Sequence, residues 1–170
     1  MELEWDHDDY QGPHADPQIK MDYEAALGRL ILAHNEVDFR LAKELERIFQ
    51  RIDPNHSPAM RGVRRFAERV NCLEIVQKLL GDRLTVNVDV AELRRLNDFR
   101  NAAAHGHFDQ DYFDGSYTII RSDTKARAMP VVQLDEAAKA LHSIAVTLSN
   151  YEAFGQFGRE YASNPTSSPE

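Results

Sequence analysis

Asp89-Val90-Ala91-Glu92-Leu93-Arg94-Arg95-Leu96-Asn97-Asp98-Phe99-Arg100-Asn101-Ala102-Ala103-Ala104-His105-Gly106 is the stretch that decides the fold class. It opens as a capping box, with Asp89 as N-cap and Glu92 placed to reach back to it. Leu93, Leu96, Phe99 and Ala103 then recur at helical spacing, and Gly106 closes the run. A helix with start, stripe and stop all in agreement is the frame from which the rest of the chain is read.

Upstream, Leu27, Leu30, Ile31, Leu41, Leu45 and Ile48 carry the same rhythm and predict a helix from about Asp22, its N-cap, to about Arg51. A second helix is expected from Ser57 as N-cap and Pro58 at the first helical position. Its stripe is Val63, Phe66, Val70, Leu73 and Leu80, with Gly81 as the stop. Downstream the period changes. Tyr117-Thr118-Ile119-Ile120 and Met129-Pro130-Val131-Val132 read as short strands around the polar Ser122-Asp123-Thr124-Lys125, a hairpin at about 116–133 with Pro130 on an edge. A last helix is predicted from about Leu134 to Phe154, with Leu141, Ile144, Leu148 and Tyr151 inward. The expectation is a mainly α protein, a four-helix up-and-down bundle over residues 21–158 with the hairpin inserted before the last helix. Residues 1–20, polar and acidic, and 159–170 read as flexible tails.

Composition limits the function classes. The 170 residues are 42% hydrophobic and 28% charged, which suits one globular domain with a real core. No apolar run approaches the roughly 18 residues of a membrane span, and the N-terminus lacks the basic and apolar regions of a secretory signal. The one cysteine, Cys72, leaves no internal disulfide and reads as inert packing in a reducing cytoplasm. A net charge of −8 argues against a broad nucleic-acid-binding surface but not against a small local site. Glu2, Glu4, Asp6, Asp8, Asp9 and Asp16 supply much of that excess.

Several polar residues fall on the wrong faces. At about 100° per residue, Arg100 lies inside the apolar arc of its helix, with Asn101 and His105 together on the flank. His34 and Asp38 lie in the apolar arc of the first helix, and Glu74 lies between Val70 and Leu73 on the second. An inward arginine needs a carboxylate, an interface or a cleft. Either the three helices share a buried ion-pair network, or Asp38 or Glu74 orients Arg100 in a cleft. Arginine offers a planar fork of donors that fits phosphate, and histidine can transfer a proton near neutral pH. His105 also ends a helix, where the macrodipole favours a cation. Phe108 and Tyr112, just beyond the site, are candidates for stacking on a base, with His107 beside them. No HxxxH or ExxH pair lies on one helix, and there is no GxxxxGK[ST] or GxGxxG, so neither a metal nor another cofactor is expected.

The segment Arg100-Asn101-Ala102-Ala103-Ala104-His105 resembles the Arg-x(4–6)-His motif of the HEPN superfamily, small helical bundles in which Asn often follows the Arg. The resemblance covers about Asp22 to Phe154. It implies metal-independent RNA cleavage at a cleft shared by a homodimer, in a toxin–antitoxin or phage-defence setting with an antitoxin or other protein as partner. By the same resemblance Arg100 binds the scissile phosphate, His105 moves a proton, and Asn101 orients His105 or donates to the phosphate. The alternative is a non-catalytic HEPN-like interaction or dimerisation module.

Overall fold

The computed structural model describes residues 15–52, 63, 65–80, 88–120 and 126–162. Four helices carry the fold: α1 (Pro17–Ile52), α2 (Phe66–Leu80), α3 (Val90–His105) and α4 (Val131–Ala162). Between α3 and α4 lie three short strands, β1 (His107–Gln110), β2 (Tyr117–Ile120) and β3 (Ala126–Ala128), in one antiparallel sheet of that order. The chain is a helical bundle, and no described helix is long and apolar enough to cross a membrane.

α1 starts at Pro17, five residues before the expected Asp22. Asp16 caps it, its Oδ1 accepting from the Gln18 N–H at 2.8 Å, and Pro17 takes the first position, where a missing N–H costs nothing. Residues 17–20 of the expected acidic tail therefore belong to the helix; residues 1–14 lie outside those described. The predicted Ser57–Pro58 start of α2 also lies outside them. Val63 and Arg65 are not helical, however, so the predicted 57–80 helix begins instead at Phe66. There Glu68 reaches back to the Arg65 N–H at 3.2 Å, the return half of a capping box.

α3 matches its expected bounds. Asp89 Oδ1 accepts from the N–H groups of Ala91 (2.8 Å) and Glu92 (3.2 Å). Asp89→Ala is expected to cost about 1 kcal/mol, read as a shift in the urea unfolding midpoint. Gly106 ends the helix, but at φ −75°, an ordinary extended geometry rather than a left-handed one. α4 runs to Ala162, through the first four residues of the expected C-terminal tail.

The hairpin before α4 is present but its strands differ from the expected pair. β2 pairs with β1 from His107↔Ile120 to Gln110↔Tyr117, and with β3 from Thr118↔Ala128 to Ile120↔Ala126. The expected strand at Met129–Val132 is not a strand. The Pro130 carbonyl accepts from Gln133 and Leu134, which makes Pro130 the entry to α4 and spares its ring any place in a ladder. Asp111 organises the β1–β2 turn, accepting from Phe113 and Asp114, and Gly115 there has φ +72°, a conformation glycine adopts without strain.

One core joins these parts. Leu30, Val37, Leu41 and Leu45 of α1, Val70 and Leu73 of α2, Leu93 and Leu96 of α3, and Leu134 and Leu141 of α4 are almost wholly buried, with Ile119 and Met129 beneath the sheet. α1 and α4 share the longest interface, and α2 packs on α3 and α1. Tyr23 near the start of α1 holds the sheet, stacked on Tyr117 (4.0 Å between ring centres) and edge-on to Phe108 (5.5 Å). Burial of Tyr23 pushes its hydroxyl pKa up to about 12.

Candidate functional site at the end of α3

Arg100, on α3, is half-buried. Its NH1 donates to Asn101 Oδ1 at 3.1 Å, so Asn101 meets the guanidinium. Its Nε is buried with no hydrogen-bond partner. Arg69 Nε is likewise buried without a hydrogen-bond partner, but each other arginine of these helices with a described side chain holds a carboxylate. Arg29, Arg40, Arg47, Arg69, Arg94 and Arg95 hold Asp135, Glu36, Glu44, Asp38, Glu74 and Glu92 in turn. No carboxylate among the described residues pairs with Arg100.

The expected supporting residues divide. His34 is 4% exposed and lies close enough to Arg100 to feel its charge. Asp38, one turn along α1 from His34, pairs with Arg69 of α2, Oδ1 to NH1 at 2.5 Å, rather than with Arg100. Glu74 takes no part: it holds Lys78 at 2.8 Å and Arg94 at 2.5 Å. Its hydrogen bonds to Lys78 and then Arg94 hold its carboxyl down at about 2. The expected shared network of Asp38, Glu74 and Arg100 is therefore an Asp38–Arg69 pair, a separate cluster of Glu74 with Lys78 and Arg94, and one arginine with no acid among the described residues. The reason is position along and around the helices, since Glu74 meets Arg94, which stands about one and two-thirds turns before Arg100.

Sequence reasoning missed Asn97, Phe66 and Arg69. His34 Nε2 lies 3.3 Å from Asn97 Oδ1, and its ring sits 4.4 Å from that of Phe66. With a carbonyl oxygen facing it, Nε2 carries the proton and donates, which leaves Nδ1 buried and unpartnered. Asn97 was detectable: it stands three residues before Arg100 and four before Asn101, so it shares their side of α3.

Burial lowers the pKa of His34, and the Arg100 charge lowers it further; the Asn97 hydrogen bond and Asp38 work against this. Unfolded, the imidazole protonates near pH 6.5; folded, it does so only at lower pH. Below about pH 6.5 the unfolded chain therefore binds more protons. The stability this gives is present above about pH 6.5 and is lost as the pH falls through the folded pKa. His34→Gln is expected to flatten that part of a plot of unfolding midpoint against pH. An unchanged slope would remove His34 as its source.

His105 is exposed at the helix end, and His107 is exposed on β1. His105 is five residues from Arg100, about 7.5 Å along the axis and about 140° around it, so one helix does not aim both side chains at one point. Phe108 packs on Tyr23 and Tyr112 lies edge-on to Phe113 at 5.8 Å, both rings keeping an exposed face. Cys72 is half-buried, and burial followed by the Glu68 charge raises its thiol pKa, as suits inert packing. No group of three His, Cys, Asp or Glu among the described residues is arranged to hold a metal ion. A groove of about 570 Å³ opens elsewhere, between α1 and α4, lined by Arg29, Leu32, Glu36 and Asp135 among others, with none of the Arg100 cluster on its walls. Compared with family models, curated proteins and solved structures, the chain matches none.

Proposed function

We propose that this chain is a HEPN-type, metal-independent endoribonuclease acting at a cleft between two copies, in a toxin–antitoxin or phage-defence setting. The observation that carries the reading is Arg100, a half-buried guanidinium with no acid of its own among the described residues, whose NH1 meets only the neutral amide of Asn101 and whose Nε is buried without a partner. Such a cation is completed by an anion from outside, and its fork suits phosphate. The 2′-hydroxyl of the RNA attacks the scissile phosphorus, the bond to the 5′-oxygen breaks, and a 2′,3′-cyclic phosphate and a 5′-hydroxyl result. Arg100 stabilises the charge that develops on the phosphate oxygens. His105 moves the proton, and the angle between it and Arg100 on one helix favours supply of the two groups by different copies. Asn101 fixes the guanidinium.

The test is incubation of purified protein with a broad RNA panel and excess chelator, followed by analysis of the product ends. Cyclic-phosphate ends that disappear in the Arg100→Ala/His105→Ala variant support the reading; a wild type as inert as that variant on every RNA sinks it. The second reading, a non-catalytic interaction module, draws on the exposed apolar side chains Leu32 and Phe39 of α1, Ile75 and Leu79 of α2 and Val146 of α4. It predicts that the double variant changes self-association or melting temperature with no activity to lose.

A further inference from the structure

We infer that α1 carries an interface of its own, an outward seam that packs antiparallel against the same seam of a second copy of this chain. The inference stands apart from the Arg100 reading. α1 already gives one side to the core, through Tyr23, Ala26, Leu30, Val37 and Leu41. Met21, Ala25, Gly28, Leu32, Asn35 and Phe39 form another line along it, at alternating steps of four and three residues, the spacing of a coiled-coil seam. At about 100° per residue this line runs roughly opposite the core stripe. All six residues are exposed, Leu32 by 70%. A helix that only covered its own core would place polar residues there.

The charges beside the seam identify what covers it. Asp22, Arg29, Glu36 and Lys43 stand seven residues apart on one flank, all exposed, in the order acid, base, acid, base. Read from the other end, the order is base, acid, base, acid. A second α1 laid antiparallel therefore sets Asp22 against Lys43 and Arg29 against Glu36, each pair formed twice by the two-fold axis. A parallel copy brings the flank against Glu24, Ile31 and Asp38, where Ile31 has no charge and Asp38 is held by Arg69. Arg29 and Glu36 have partners in their own chain, Asp135 at 2.9 Å and Arg40 at 2.7 Å, but remain 54% and 47% exposed, open to a further contact. Two copies of a chain of net charge −8 repel overall, and this balanced flank is a place where they attract. The same register brings Phe39 of one copy near Gly28 of the other, where a Cβ would meet nothing within 4 Å and a ring has room. α1 turns a different side, at His34, to Asn97 of α3, so the seam and the Arg100 site do not overlap.

The experiment compares wild type with Arg29→Glu, with Glu36→Lys and with an equimolar mixture of the two. Self-association is read by sedimentation velocity over a range of protein concentrations, with circular dichroism confirming that each variant folds. Either reversal sets like charges together twice, so each variant alone is expected to associate at least about tenfold more weakly. In the mixture each reversed side chain meets one of opposite sign, and the lost doubling of mass returns. Leu32→Ser, at an exposed position outside the core, is expected to weaken association without lowering the melting temperature. Loss of association through damage to the single chain predicts no recovery on mixing. That result overturns the inference, as do single variants that associate as well as wild type, or a wild type that stays monomeric. Should Arg29→Glu fail to fold without its Asp135 pair, Lys43→Glu and Asp22→Lys repeat the exchange at the other end of the flank, with the same outcomes.

Discussion

Arg100→Ala is expected to lower RNA cleavage by about 10²–10³-fold while the melting temperature holds or rises slightly. The rate loss is that of removing a donor aimed at charge that develops only in the transition state. The stability expectation comes from the unpaired Nε: a buried donor without a partner contributes nothing favourable to the fold, and its removal leaves no orphaned acid. Arg100→Lys keeps the charge but loses the fork, so its rate falls between the two. His105→Ala is expected to cost about 10²–10⁴-fold, the range for a lost proton-transfer group. Single-turnover rates on one cleavable RNA, beside thermal melts, check all three. A large fall in melting temperature for Arg100→Ala would mean that the guanidinium is structural after all.

Gly106→Ala is expected to destabilise the fold by about 1–3 kcal/mol, because a Cβ at this position has nowhere to go. It would stand 2.2 Å from Ile119 Cγ2 and 2.7 Å from the Ala102 carbonyl oxygen. Ile119 is 1% exposed and cannot swing into solvent, and the Ala102 oxygen already accepts the Gly106 N–H at 2.9 Å. Relief therefore requires β2, which carries Ile119, to move away from the end of α3. Urea unfolding of Gly106→Ala, Ile119→Ala and the pair forms a cycle that isolates the clash. If the two costs simply add, Ile119 is not what holds the glycine in place.

The parts of the fold legible in the sequence are those where independent local signals agree. Asp89, Glu92, the Leu93–Phe99 stripe and Gly106 all describe one helix, and α3 has the bounds they predict. Asp16-Pro17 carried an equally good start signal for α1, obscured by the acidic run around it. β1 carried almost none. His-Phe-Asp-Gln has no apolar alternation and three of its residues are exposed, so it becomes a strand only because β2 supplies a ladder and Tyr23 a face for Phe108. Pro130 was misplaced for a related reason: a proline is compatible with an edge strand or a helix start, and only the following carbonyl contacts distinguish them.

For the site, the helical wheel was sufficient to turn Arg100, His34 and Asp38 toward one another's helices, because a 3.6-residue period fixes which side chains share a face. It could not say which cation Asp38 takes. That choice depends on distances between helices remote in sequence, where Arg69 and Arg100 are equivalent by charge and differ only in where α2 and α3 place them. The sequence alone thus determined the inward arginine and its helix. The tertiary structure alone decided that this arginine has no acid of its own among the described residues, since an ion pair is strong only at contact distance and contact is set by packing.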